Sequence, residues 1–118
     1  MFSGTYLTDP ALYAPLEAGL SAFRAAGFPP GDAMRALSTV FAYTVGFAIE
    51  EQAVSPRPGE RDPRYDPDRR AERIDPERYP LTRAAGAAAF GDADERFEHG
   101  LGLIVVGIEA SRPPPEDA

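Results

Sequence analysis

Residues 97–108 read FEHGLGLIVVGI. Past His99 no charged side chain occurs until Glu109, and Gly100, Gly102 and Gly107 stand among Leu101, Leu103, Ile104, Val105, Val106 and Ile108. Each glycine inside a helix costs about 1 kcal/mol relative to alanine. These glycines therefore either argue against a helix or mark a surface that another backbone approaches closely. The flanks decide. Asp92, with Glu95 three positions on, is a variant capping box, and Pro113-Pro114-Pro115 is a stop. The stretch they frame is helix length and too long for one strand, which predicts a helix from Asp92 to about Ser111. A strand over 103–108 is the competing reading. Gly100, Leu103 or Ile104, and Gly107 recur at heptad-like spacing on one side, where small residues admit a second helix.

Working outward, Leu12, Leu16, Leu20 and Phe23 recur on one face of a helix. Pro15 suits its first turn, so this helix begins near Tyr13 or Ala14, and Gly27 before Phe28-Pro29-Pro30 ends it. A second helix runs from about Pro30 to Ala53, with Asp32 favourable to its N-terminal dipole. Its uncharged run Ala36–Ile49 carries two apolar stripes: Ala33, Leu37, Val40, Thr44 and Phe47; and Met34, Leu37, Phe41, Val45 and Ala48. A helix apolar over most of its circumference is buried on most sides. A short helix from about Tyr79-Pro80 through Ala89 follows, with Gly91 as its stop.

Residues 54–80, VSPRPGERDPRYDPDRRAERIDPERYP, are rich in proline and in cancelling charges and have no apolar periodicity. They read as a long loop with little fixed structure, either a solvated variable insertion or a functional loop.

Composition sets outer limits. The chain of 118 residues suggests one domain. The absence of cysteine excludes disulfides, thiolate zinc sites and a thiol nucleophile. His99 is the single histidine. It is the only candidate general base, and no triad or His-rich metal site forms around it, so an enzyme, a metal or a cofactor is not expected. All 12 basic residues are arginine, which reflects coding bias. A net charge of −7 repels a phosphate backbone. The longest uncharged run is shorter than a membrane span, and MFSGTYLTDP lacks the pattern of a signal peptide. The expected location is the cytoplasm.

Two helices with too much apolar surface, in a domain too small to bury it, predict association. The expected fold is all-α: a short domain of about four helices with a long loop, in which the second and last helices pack against their symmetry mates as a four-helix-bundle dimer.

Two stretches resemble the C-terminal domain of TetR-type tetracycline repressors. In Gly27–Gln52, the family's Gly-Phe turn and long helix are matched by Gly27-Phe28, Ala33, Ala36-Leu37-Ser38, Gly46 and Glu50-Glu51-Gln52. In Phe97–Ala110, the matching residues are Phe97, Gly100, Leu101, Leu103, Ile104, Gly107 and Glu109. The resemblance covers about Gly4 to Ala110. It implies a ligand-binding and dimerisation domain over 1–112, with 54–78 a mobile charged loop and 113–118 a disordered tail. On this reading the helix-turn-helix that would carry DNA binding is not part of the chain.

Carried over position by position, the resemblance implies that a small hydrophobic effector is lined by Leu16, Leu20, Met34, Leu37, Ser38, Phe41 and Glu50, with Leu81 reaching into the partner's site. The four aliphatic and thioether side chains among these read equally as plain core, and Ser38 as a serine satisfied on its own helix. Gly46, Gly100, Leu103, Ile104, Gly107 and Ile108 fall in the implied homodimer interface. Tyr43 and Thr44 are further polar groups that either orient a ligand or satisfy themselves on backbone or solvent. In drug-responsive members a metal-binding histidine stands at the position of Ala42 and a drug-contacting glutamine at that of Gly19, while Glu50 matches a residue that assists a magnesium-linked site. The expected function is effector sensing and dimerisation in a transcriptional repressor. A stand-alone module pairing with a full-length regulator is the alternative.

Overall fold

The computed structural model describes residues 8–115. Five α-helices form: α1 (Tyr13–Ala25), α2 (Pro30–Val54), α3 (Pro67–Glu72), α4 (Pro80–Ala89) and α5 (Ala93–Ala110). Turns of 3-10 helix at Pro10–Leu12 and Pro63–Tyr65 complete the regular structure, and no strand occurs among the described residues. The four long-range helical readings hold, and 103–108 is helical. The reading of residues 54–80 is corrected, because α3 and a 3-10 turn form inside them. The stretch MFSGTYLTDP, read above for a signal peptide, lies largely outside the described residues. So does the end of the tail, whose prolines 113–115 carry no regular structure. No helix among the described residues is long and apolar enough to cross a membrane.

The chain divides into two compact units, one drawn from residues up to Ala42 and from Ile104 onward, the other Tyr43–Leu103. In the first, α1 ends at a left-handed glycine. Gly27 has φ 98°, its N–H donates to the Arg24 carbonyl, and the Phe28 N–H donates to the Phe23 carbonyl, both at 3.0 Å. That pair of bonds is a Schellman motif, and its usual apolar contact is present as an edge-on Phe23–Phe28 ring pair 5.4 Å apart. The Arg112 guanidinium lies over the Phe28 ring. Phe28, Ala33 and Ala36 are the buried apolar residues among those described. Gly19 of α1 faces Leu37 of α2, where a side chain would make ordinary contact with a Leu37 methyl 3.5 Å away.

The second unit is organised by rings and by aspartates. Tyr43 and Phe47 on α2 meet Phe97 on α5, with ring centroids 5.2–6.0 Å apart. The charged segment folds by local capping. Arg57-Pro58-Gly59-Glu60 is a turn with Gly59 at φ 79° and a Glu60 N–H to Arg57 carbonyl bond, as a type II turn requires. The Asp66 side chain accepts from the N–H groups of Asp68 and Arg69 to start α3, with Pro67 in the first helical position. Asp62 does the same for Arg64, and Asp75 for Glu77 and Arg78. Arg70 of α3 then reaches across α4, donating to the Thr82 carbonyl at 3.2 Å and lying over Phe90. Gly86 is buried beneath it, where a side chain would meet the Arg70 guanidinium. Asp92 caps α5 as expected, accepting from the Glu95 N–H at 3.0 Å.

Candidate functional site

The second unit holds a cleft of about 340 Å³. From α2 it is lined by Tyr43, Gly46, Phe47, Glu50, Glu51 and Val54; from the rest of the unit by Tyr65, Ala89, Phe90 and Arg96. Helical spacing brings the α2 residues to one side, since 43, 46, 47, 50, 51 and 54 follow the three- and four-residue repeat. Tyr65 arrives on the Asp62-capped turn. There Arg64 forks onto Asp62, with Nη2 to Oδ2 at 2.8 Å and Nε to both oxygens. The hydrogen bonds from Arg64 hold the Asp62 carboxyl below its ordinary range, and Asp62 in turn raises Arg64. Phe90 closes α4 and packs against Tyr65 with centroids 5.9 Å apart.

Arg96 is the cation of the cleft. Its Nη2 donates to Glu51 Oε2 at 2.9 Å, its Nε donates to the Gly91 carbonyl at 3.2 Å, and its guanidinium lies over the Phe47 ring. Both members of the Arg96–Glu51 pair are about a quarter exposed. The Glu50 side chain, one position earlier, makes no ion pair among the described residues. The Tyr43 hydroxyl donates to the Phe97 carbonyl at 2.9 Å, so of the two readings of this group the backbone one holds.

The residues implied as ligand lining do not all come together. Leu16 and Leu20 on α1, with Met34, Leu37, Ser38 and Phe41 on α2, belong to the first unit. All are half-buried except Phe41, which is 38% exposed. Glu50 lines the cleft of the second unit. Leu81, at the start of α4, is 82% exposed. Of the implied interface residues, Gly46 and Gly107 have nothing within 4 Å of where a side chain would begin, and Leu103 is 64% exposed. Ile104, Gly107 and Ile108 line a shallow groove with Asp32, Arg35, Ala36 and Thr39 in the first unit. Gly100 has a reason within its own chain, because the Tyr43 ring occupies the place of its missing side chain. Tyr65, Phe90 and Arg96 were not singled out from sequence. The Asp-Pro pairs that place Tyr65, and the helix end that places Phe90, were the available signals.

A family model described as the tetracyclin repressor-like C-terminal domain matches residues 1–112. The chain is also similar to the tetracycline repressor protein class A from transposon 1721 of Escherichia coli, 40% identical over 91 residues, or 74% of this chain and 37% of that protein. It thus spans a little over a third of that relative's length. No solved structure matches it. The helix order, the Gly27-Phe28 turn into a long helix and the glycine-bearing last helix agree with the family match: the chain belongs to the tetracyclin repressor-like C-terminal domain family.

Proposed function

We propose that these residues form the effector-sensing and dimerisation domain of a TetR-type transcriptional repressor acting in the cytoplasm. One observation carries the reading. The apolar surface of α2 and α5 is left uncovered, with Ile49 60%, Leu103 64% and Val106 66% exposed. Exposure of that kind along two long helices marks an interaction surface, and a second copy of the same chain covers it by a two-fold axis. Gly46 and Leu103 in the second unit, and Ile104, Gly107 and Ile108 in the first, are assigned to that homodimer; Gly100 supports it by fixing Tyr43.

A small hydrophobic effector binds one helical arrangement of the dimer better than another and shifts its population. The coupled change alters the spacing of two helix-turn-helix heads, and DNA is released. DNA contact belongs to those heads and not to this acidic domain. The half-buried Leu16, Leu20, Met34, Leu37 and Ser38 and the more exposed Phe41, all of the first unit, are assigned to the lining of the effector site, with Leu81 of the partner subunit. Light scattering on the purified chain should give the mass of a dimer, and apolar compounds screened by thermal shift should include some that raise the melting temperature. A monomer at tens of micromolar would sink the reading.

A further inference from the structure

We propose that Arg70 is a positioning residue: its guanidinium clamps α4 to α3, so that the two helices form one arm whose exposed end presents Leu81. That the arm acts on a partner subunit rests on the dimeric effector-sensing reading; the clamp rests on contacts within the second unit. α4 needs a clamp because it buries so little. Gly86 is its one buried residue, and Leu81 is 82% exposed. A helix this short is not stable in water by itself. Its C-terminal end is tied down through the turn that follows, where Arg96 donates to the Gly91 carbonyl and to Glu51 of α2. At its first turn the tie is Arg70. Among the described residues, the Arg70 bond to the Thr82 carbonyl at 3.2 Å is the one side-chain hydrogen bond that another helix makes to α4.

The geometry asks for a guanidinium. In an α-helix the carbonyl of residue i points along the axis toward residue i+4, so the approach to the Thr82 carbonyl passes residue 86. Gly86 leaves it open, since a side chain there would begin 2.6 Å from Arg70 Nη1. The same guanidinium lies over the Phe90 ring, 5.6 Å from its centroid. Thr82, Gly86 and Phe90 follow the four-residue repeat, so a single side chain spans one face of α4. Arg70 forms no ion pair among the described residues, which leaves its donors for the backbone. A lysine ammonium is a compact, strongly hydrated charge and does not offer both a flat face for the ring and a directed N–H for the carbonyl. Tyr65, in the turn before α3, packs on the same Phe90. Both contacts on this face therefore come from one small segment.

Amide hydrogen exchange of the whole chain by NMR tests the clamp. Arg70→Met keeps a long apolar stem and removes the donors. The amides of residues 84–89 should then exchange about tenfold faster, as the loss of such a bond predicts, while those of α5 stay as they were. Arg70→Lys keeps the charge and should behave like Arg70→Met. Arg69→Met, at the exposed neighbouring arginine, should change nothing. Unchanged exchange in Arg70→Met, wild-type protection in Arg70→Lys, or protection lost equally across α2 and α5 overturns the clamp. The presentation of Leu81 is tested by the dimer dissociation constant from sedimentation equilibrium. Leu81→Ala and Arg70→Met should each weaken the dimer about threefold, and the double variant no more than the more damaging single change. Effects that multiply in the double variant, or a dimer indifferent to Arg70→Met, overturn that role. A wild-type chain that stays monomeric overturns the dimeric reading and with it the role of Leu81, while the exchange result alone decides the clamp.

Discussion

The Tyr43 hydroxyl donates to the Phe97 carbonyl at 2.9 Å, and the ring that carries it fills the place of a side chain at Gly100. The ring is also stacked on Phe97 at 5.3 Å, so it has little freedom to give way. Gly100→Ala should therefore destabilise the chain by about 1–2 kcal/mol, because overpacking outweighs the better helix propensity of alanine. In a Tyr43→Ala background the same change should stabilise by about 1 kcal/mol. Urea midpoints of the four proteins give the comparison. The same sign in both backgrounds would show that Tyr43 is not the reason for the glycine.

Gly107 is the opposite case, with open space where a side chain would begin. Within a single chain, Gly107→Ala should strengthen α5 by about 1 kcal/mol. Against a partner helix a large side chain keeps the two backbones apart. Gly107→Leu should yield monomer or aggregate by light scattering with helicity retained. An intact dimer would move the interface elsewhere on the molecule.

Asp66 starts a helix of only six residues, and its carboxylate serves two N–H groups there. Asp66→Ala should cost about 1 kcal/mol locally. Amide exchange at Asp68 and Arg69 should accelerate, while the global melting temperature moves little. A large fall in melting temperature would mean that α3 is needed well beyond its own turn.

Acid should release the neighbouring turn. The folded pKa of Asp62 is depressed, chiefly by its hydrogen bonds from Arg64. The stabilisation is thus present above the unfolded value near 3.8 and is lost as pH falls through the lower folded value. The Arg64 amide resonance should report a titration below that of an ordinary aspartate, and Asp62→Asn should abolish it. A midpoint at or above 3.8 would contradict the paired geometry.

The main helices were legible because their ends are written in chemistry that acts over three or four residues. Gly27 supplies the left-handed conformation that closes α1, Asp92 the cap of α5, and the triple proline its end. The charged segment was not legible by periodicity, since α3 buries none of its residues. Its order comes from capping, so the Asp-Pro dipeptides were the informative signal. The cleft was half legible. Glu50 stood out through the resemblance, but Tyr65 and Phe90 reach it only because that segment folds. Their sequence distance from α2 carries no hint of the meeting.

Each short element of the segment, at Asp62-Pro63, Asp66-Pro67 and Asp75-Pro76, is started by its own aspartate. None of these starts borrows its nucleus from a distant part of the chain. A stretch assembled from self-starting pieces is modular. Whole pieces can be inserted or removed between α2 and α4 at a cost that grows only slowly with length, and the phase of the helices on either side is undisturbed. Relatives differing in length at this point would then differ in which ring is delivered to the cleft, while the long helices stay the same.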